Sequence, residues 1–224
     1  MSKIIKLLLI LLIVIIFFNK EIVKYYYINK FSNWVERPVK IEKLNFKYSG
    51  YIEINKIQIL NSSQNYYKNI FEAKKIIIIL NTKSLFSDLI VIKNLTIFNP
   101  EFFLDIQVIK DNKSFNKDKT IYDDNIGLAK KINEKTQDKI WPKKDKDINF
   151  LIQEAVLSGA KGNIKISSIL NPSKTELSKM KFSSFGNDKN YRHYKDILKS
   201  ILYDLYARTE EIKLKKILKE IYKF

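Results

Sequence analysis

The chain has 224 residues and a formal net charge of +17, with 46% hydrophobic and 13% aromatic residues. That suits one ordinary domain, or one domain plus tails, and excludes wholesale disorder. Cys is absent and His193 is the single His, which excludes a disulfide scaffold, a zinc ribbon, a thiol enzyme and any metal site needing two imidazoles.

Only Arg37, Arg192 and Arg208 among the basic residues are Arg; the rest are Lys. A Lys, Ile and Asn bias of this kind is what an AT-rich genome writes onto a solvated surface. Clustered Lys also attracts anionic lipid. Nucleic acid is the weakest reading, since neither an Arg cluster nor a known module is present.

Residues 7–18 (LLLILLIVIIFF) form an unbroken apolar run preceded by Lys3 and Lys6. No Ala, Gly or Ser follows before Lys30, so the run reads as an uncleaved signal-anchor rather than a cleaved signal. A span from Ile4 to Phe18 covers about 22 Å as a helix, short of a hydrocarbon core of about 30 Å. Lys6 can snorkel, and Tyr25, Tyr26 and Tyr27 can serve as an aromatic interface. Ile4, Leu7, Leu12, Ile16 and Phe18 are the expected anchor residues, with the short head cytoplasmic and the bulk of the chain exported.

From Val39 the pattern becomes alternation. In both 39–46 (VKIEKLNF) and 51–60 (YIEINKIQIL) it slips phase once, at Lys43 and at Asn55-Lys56, the mark of a β-bulge or a twist. Strands are expected next at 71–80 (FEAKKIIIIL), 89–98 (LIVIKNLTIF) and, after a break at Asn99-Pro100, 102–109 (FFLDIQVI). Short connections predict an antiparallel meander. Residues 110–147 are rich in Lys, Asp and Asn and read as a charged loop or disordered insertion. A hairpin is expected over 148–170, turning at Ser158 to Gly162. Farther on, Tyr194, Ile197, Leu198, Ile201, Leu202 and Leu205 share one helical face. Thr209 can cap a second helix whose stripe is Ile212, Ile217, Leu218 and Ile221. These helices read as a cover for the sheet, with an in-plane membrane helix as the alternative.

The order of these elements resembles the N-terminal module of the AsmA-like family of bacterial envelope proteins, relatives of TamB and of the chorein-type bridge-like lipid carriers. Ile57, Ile59 and Asn61 are similar to the family's strand ending, and Phe71 and Ala73 to the opening of its third strand. Ser84, Leu85, Phe86 and Ser87 resemble the turn that follows. Ile90, Ile92, Leu95, Ile97 and Pro100 resemble the last strand. The similarity covers roughly residues 4–169. It implies a twisted sheet whose apolar face shields acyl chains, with Ile52, Ile54, Ile57, Ile59, Ile76, Ile78, Ile90, Ile92, Leu95 and Ile97 as groove candidates. The residues themselves add that 76–80 and 89–92 are apolar on both faces, so both faces need cover. A closed two-layer core, a lipid-lined groove and a protein partner all satisfy that need.

No catalytic constellation is evident. Asp123-Asp124 reads as a solvated turn, His193 as a helix-start residue, and Ser183-Ser184 lacks the setting of a nucleophile. The expected fold class is therefore α+β: an N-terminal transmembrane helix, then a twisted antiparallel β-meander with C-terminal amphipathic helices packed on one face. The segments are 1–28 (anchor), 29–109 (meander), 110–147 (charged tract), 148–170 (hairpin) and 171–224 (helical). The expected function is passive assistance of phospholipid transport or envelope homeostasis, without enzyme activity or cofactor, from a single-pass position in a bacterial inner membrane with the bulk in the periplasm. Membrane lipid is the expected partner, with an envelope protein as a further one and no nucleic acid; the oligomeric state stays open. The alternative is a single-pass structural or interaction protein of an envelope complex without lipid carriage.

Overall fold

The computed structural model describes residues 20–61, 65–110, 120–125, 149–187 and 190–223. Helix α1 (Lys20–Val35) leads into strands β1 (Val39–Phe46), β2 (Tyr51–Leu60) and β3 (Asn69–Leu80). A 3₁₀ turn (Thr82–Phe86) then leads into β4 (Leu89–Lys110), 22 residues long. Pairing through β1-β2-β3-β4 is antiparallel, as expected of β-branched runs joined by short turns.

Beyond β4 the expected fold class is corrected. β6 (Asn149–Ser158) and β7 (Lys161–Ile166) both lie parallel to β4, so the sheet is mixed rather than an antiparallel meander. The predicted hairpin over 148–170 does not form: β6 and β7 run end to end along β4. Leu89 faces Asn149 and Ile106 faces Ile166, a constant offset of 60 residues. The physical reason lies in the charged tract. Parallel neighbours need a crossover of a dozen residues or more, and residues 111–148 supply one. That tract contains β5 (Thr120–Asp124), antiparallel to the far end of β4. The predicted break at Asn99-Pro100 is a bend inside one strand. The expected transmembrane helix is corrected too: among the described residues no helix is long and apolar enough to cross a membrane. Ile4, Leu7, Leu12, Ile16 and Phe18 lie outside the described residues.

The segment 171–224 is only partly helical. β8 (Ser173–Glu176) pairs with β7, β9 (Met180–Gly186) pairs antiparallel with β6, and β10 (Arg192–His193) lies parallel to β9. The serines Ser183 and Ser184 are thus strand residues. Helices α2 (Tyr194–Arg208) and α3 (Ile212–Tyr222) follow. Thr209 does not cap α3: its hydroxyl donates to the Leu205 carbonyl at 2.8 Å and closes α2 instead. On α3 the buried stripe is Leu214, Leu218, Ile221 and Tyr222, while Ile212 is 85% exposed.

One row of residues interrupts the pairing across β1 to β4 and on to the junction of β6 and β7, beside separate irregularities at Ile59/Leu60, Ile79/Leu80 and Ser184. Glu42, Lys56, Lys74, Asn99 and Gly159 occupy the position where each strand pairing is interrupted. Three of them have left-handed backbones: Lys56 (φ 50), Asn99 (φ 46) and Gly159 (φ 68). Each such residue shifts side-chain alternation by one. Apolar residues recur three apart across the row, as Ile54 to Ile57 around left-handed Lys56 and, in register with it, Ile41 to Leu44 and Ala73 to Ile76. The row itself is exposed, which suits its charged residues. A side chain at 159 would meet the Asn99 Oδ1 at 2.3 Å, so the two bends fit together only with glycine there.

The larger core lies where α2 and α3 cover this face over β4, β6, β7 and β9. Leu104, Ile106, Ala155, Leu157, Ile164 and Ile166 meet Ile197, Ile201, Leu205, Leu214, Leu218 and Ile221. Gly162 sets the approach, because an added Cβ would lie 2.3 Å from Leu205 Cδ1. Gly162→Ala is expected to lower stability by about 1–3 kcal/mol through overpacking. Combining it with Leu205→Ala should recover at least about 0.5 kcal/mol relative to the sum of the single changes. Urea unfolding of the four proteins measures the coupling.

Candidate functional site

The ten groove candidates come together on one side of β2, β3 and β4. Register explains it: Ile54 faces Ile76 and Ile76 faces Ile97, while Ile52 faces Ile78 and Ile78 faces Leu95. Cross-strand neighbours share a face. Ile57 and Ile76 are buried, forming a second core with Val35, Val39 and Ala73. Ile54, Ile59, Ile78, Leu95 and Ile97 pack on that core and are half-buried. Leu95 belongs to both cores, and Ile92 packs on the larger one. Ile52 and Ile90 are also half-buried.

The sequence reading did not foresee what covers part of this face. Ile28, Phe31 and Val35 of α1 pack on it, and the Ser32 Oγ accepts the Val39 N–H at 3.0 Å. Their i, i+3, i+7 spacing is a helical signal, hidden by the neighbouring tyrosines. Tyr25, Tyr26 and Tyr27 are all more than half exposed.

The opposite face is polar, so the need to cover both faces falls away. Glu53 accepts hydrogen bonds from Tyr51 Oη at 2.9 Å and Asn55 Nδ2 at 3.0 Å, and pairs with Lys75 Nζ at 2.9 Å. Lys75, then Asn55 and Tyr51, hold its carboxyl down to about 2. Glu72 accepts from Gln58 and Asn69, and Lys181 pairs with Glu154 at 2.8 Å. Ile77 stands between Glu53 and Thr96, and Ile79 between Tyr51 and Asn94 with 38% of its surface exposed. Phe98, beside Lys75, and Val156, beside Thr96 and Lys181, share this face; apolar residues scattered among polar neighbours are tolerable, since folded surfaces always carry apolar atoms. They need no second layer.

The carboxylate pair Asp123-Asp124 is corrected as well. Asp123 is exposed, but Asp124 is buried and accepts a 2.7 Å hydrogen bond from the Tyr222 hydroxyl. Burial, then the Asp124 charge, push the Tyr222 phenol well above its ordinary value of 10. Asp105, 1% exposed, accepts the Tyr66 N–H at 2.6 Å. Its own N–H donates to Asn125 Oδ1 at 3.0 Å, and Asn125 Nδ2 donates to the Phe103 carbonyl at 2.8 Å. This cluster fastens β5 and α3 to the far end of β4. An aspartate inside the apolar run FFLDIQVI was the available signal for it. His193 stacks on Tyr194 with ring centres 4.4 Å apart. Among the described residues no three His, Asp or Glu side chains converge on a metal site.

Two titrations check these networks. A lowered carboxyl value means that the Glu53 contribution is present above the ordinary 4.5 and lost as pH falls toward about 2. Glu53→Gln should flatten the dependence of melting temperature on pH in that window. A raised phenol value has the opposite sense: the Tyr222 contribution is present below 10 and lost as pH rises above it. Tyr222→Phe should cost about 1–3 kcal/mol at neutral pH, because buried Asp124 loses its hydrogen-bond donor. Its stability should then fall less steeply than wild type on going to alkaline pH.

The arrangement offers an apolar surface with a polar back. Comparisons with protein-family models, with curated proteins and with solved structures return no match to this chain.

Proposed function

We propose that the protein is an AsmA-like envelope protein at a bacterial inner membrane, with its sheet in the periplasm. There it assists phospholipid movement passively, taking acyl chains against the apolar face of β2, β3 and β4. One observation carries this reading: Ile52, Ile54, Ile59, Ile78, Ile90 and Ile97 share one face and are only half-buried. α1 and the C-terminal helices leave that strip incompletely covered. Contact with an acyl chain stabilises by about 0.8 kcal/mol per buried CH₂. Such a site needs apolar width rather than polar determinants. The polar opposite face keeps the sheet wetted on its other side.

A second reading has its own observation. Ile57 and Ile76 are buried beneath α1, with 4% and 8% exposure. A face closed by its own helix suits a structural or interaction protein of an envelope complex, without lipid carriage.

Purification in mild detergent followed by lipid mass spectrometry separates the two. Lipid carriage requires phospholipid retained above detergent controls. Ile54→Asp with Ile78→Asp should then reduce it about tenfold or more, as the loss of about 1.5–3 kcal/mol per apolar contact implies. Ile77→Asp, on the polar face, should leave it unchanged. No retained phospholipid, together with a stable co-purifying envelope protein, selects the second reading.

A further inference from the structure

The end of the sheet where β1 turns into β2 and β3 into β4 holds three large apolar side chains in water. Phe86 is 95% exposed, Tyr48 79% and Leu85 48%. The two turns form one surface, since the Leu80 N–H donates to the Gly50 carbonyl at 2.9 Å and the Asn81 N–H to the Val91 carbonyl at 2.9 Å. The 3₁₀ turn is firmly built. Ser84, 7% exposed, donates to the Asn81 carbonyl at 2.6 Å and accepts the Val91 N–H at 2.8 Å, and the Ser87 hydroxyl donates to the Ser84 carbonyl at 2.9 Å. Phe86 is therefore presented by a fixed frame. Leaving a phenylalanine ring in water is unfavourable unless something covers it.

Three observations say what covers it. Lys47 and Lys83 flank the apolar residues and are exposed, against one exposed acid in the same turns, Asp88. α1 lies along β1: Val35 packs with Val39, whereas Lys24 reaches the Glu42 carbonyl at 3.4 Å, midway along β1 toward its turn. The N-terminal end of α1 thus lies nearer the two turns than its C-terminal end does. A second copy is a poor cover, because a net charge of +17 opposes self-association. An anionic bilayer fits the ring, the cations and the direction of α1 together.

We propose that this end of the sheet docks on an anionic phospholipid bilayer. Leu85 and Phe86 enter the acyl region, Tyr48 lies at headgroup depth, where its ring and hydroxyl are both satisfied, and Lys47 and Lys83 meet the phosphates. The inference is independent of lipid carriage, since a docked protein need hold no lipid along its sheet.

The chain contains no cysteine, so an environment-sensitive fluorophore attached through Phe86→Cys reports on this site alone. The control is Leu170→Cys, 90% exposed beyond the end of β7, at the opposite end of the sheet. Both full-length labelled proteins are reconstituted into phosphatidylethanolamine–phosphatidylglycerol vesicles, with and without acyl-brominated lipid. Docking requires a blue-shifted emission and several-fold stronger bromine quenching at 86 than at 170. Equal quenching at the two positions, or none at 86, overturns the proposal. An emission shift at 86 that tracks protein concentration without bromine quenching marks contact with protein and overturns it as well.

Discussion

The structure depends on keeping apolar side chains on one face of a long sheet that bends. β4 spans about 70 Å if straight, far more than a core one layer deep can follow. One exposed row, with Lys56, Asn99 and Gly159 in left-handed conformation, runs across the strands from β1 to the junction of β6 and β7. Because neighbouring strands bend at matching positions, every pairing resumes in the same register on the far side. A bend in one strand alone would send its isoleucines to the wet face. The constant offset between β4 and the β6–β7 pair is the same constraint seen along the parallel side.

Once the face is continuous, three helices divide it. α2 and α3 close one part completely, with Leu218 and Ile221 at 1% and 0% exposure. α1 closes another part only over Ile57, Ala73 and Ile76. The strip between keeps half-buried isoleucines, and it is there that the functional argument concentrates. The polar face removes any competing demand. Its Glu53, Glu72 and Glu154 networks give cross-strand pairs that water can also reach, so the sheet has an unambiguous inside and outside.

Much of this was legible along the chain. Phase slips at Lys43 and Lys56 announced the bend, and the stripe from Tyr194 to Leu205 announced α2, because both depend on spacing between near neighbours. The Asn99-Pro100 break was misread because a bend and a turn share the same residues; the difference is whether the pairing resumes beyond it. Ser158 to Gly162 looked like a hairpin for the same reason. Ile77 and Ile79 suggested a second buried layer, since composition does not record that Glu53 and Asn94 stand beside them. The role of Asp124 depended on Tyr222, 98 residues away, and no local pattern links the two.

The sequence by itself determined strands β1, β2 and β3, their apolar face, the phase slips in β1 and β2 and the amphipathic helix over Tyr194 to Leu205. Each follows from periodicity and backbone preference within about ten residues. Only the tertiary structure decided that β6 and β7 run parallel along β4, that α1 lies on the isoleucines, and that Phe86 stands uncovered. Those outcomes depend on which distant segments meet, a choice made by total buried area and register rather than by any local residue preference.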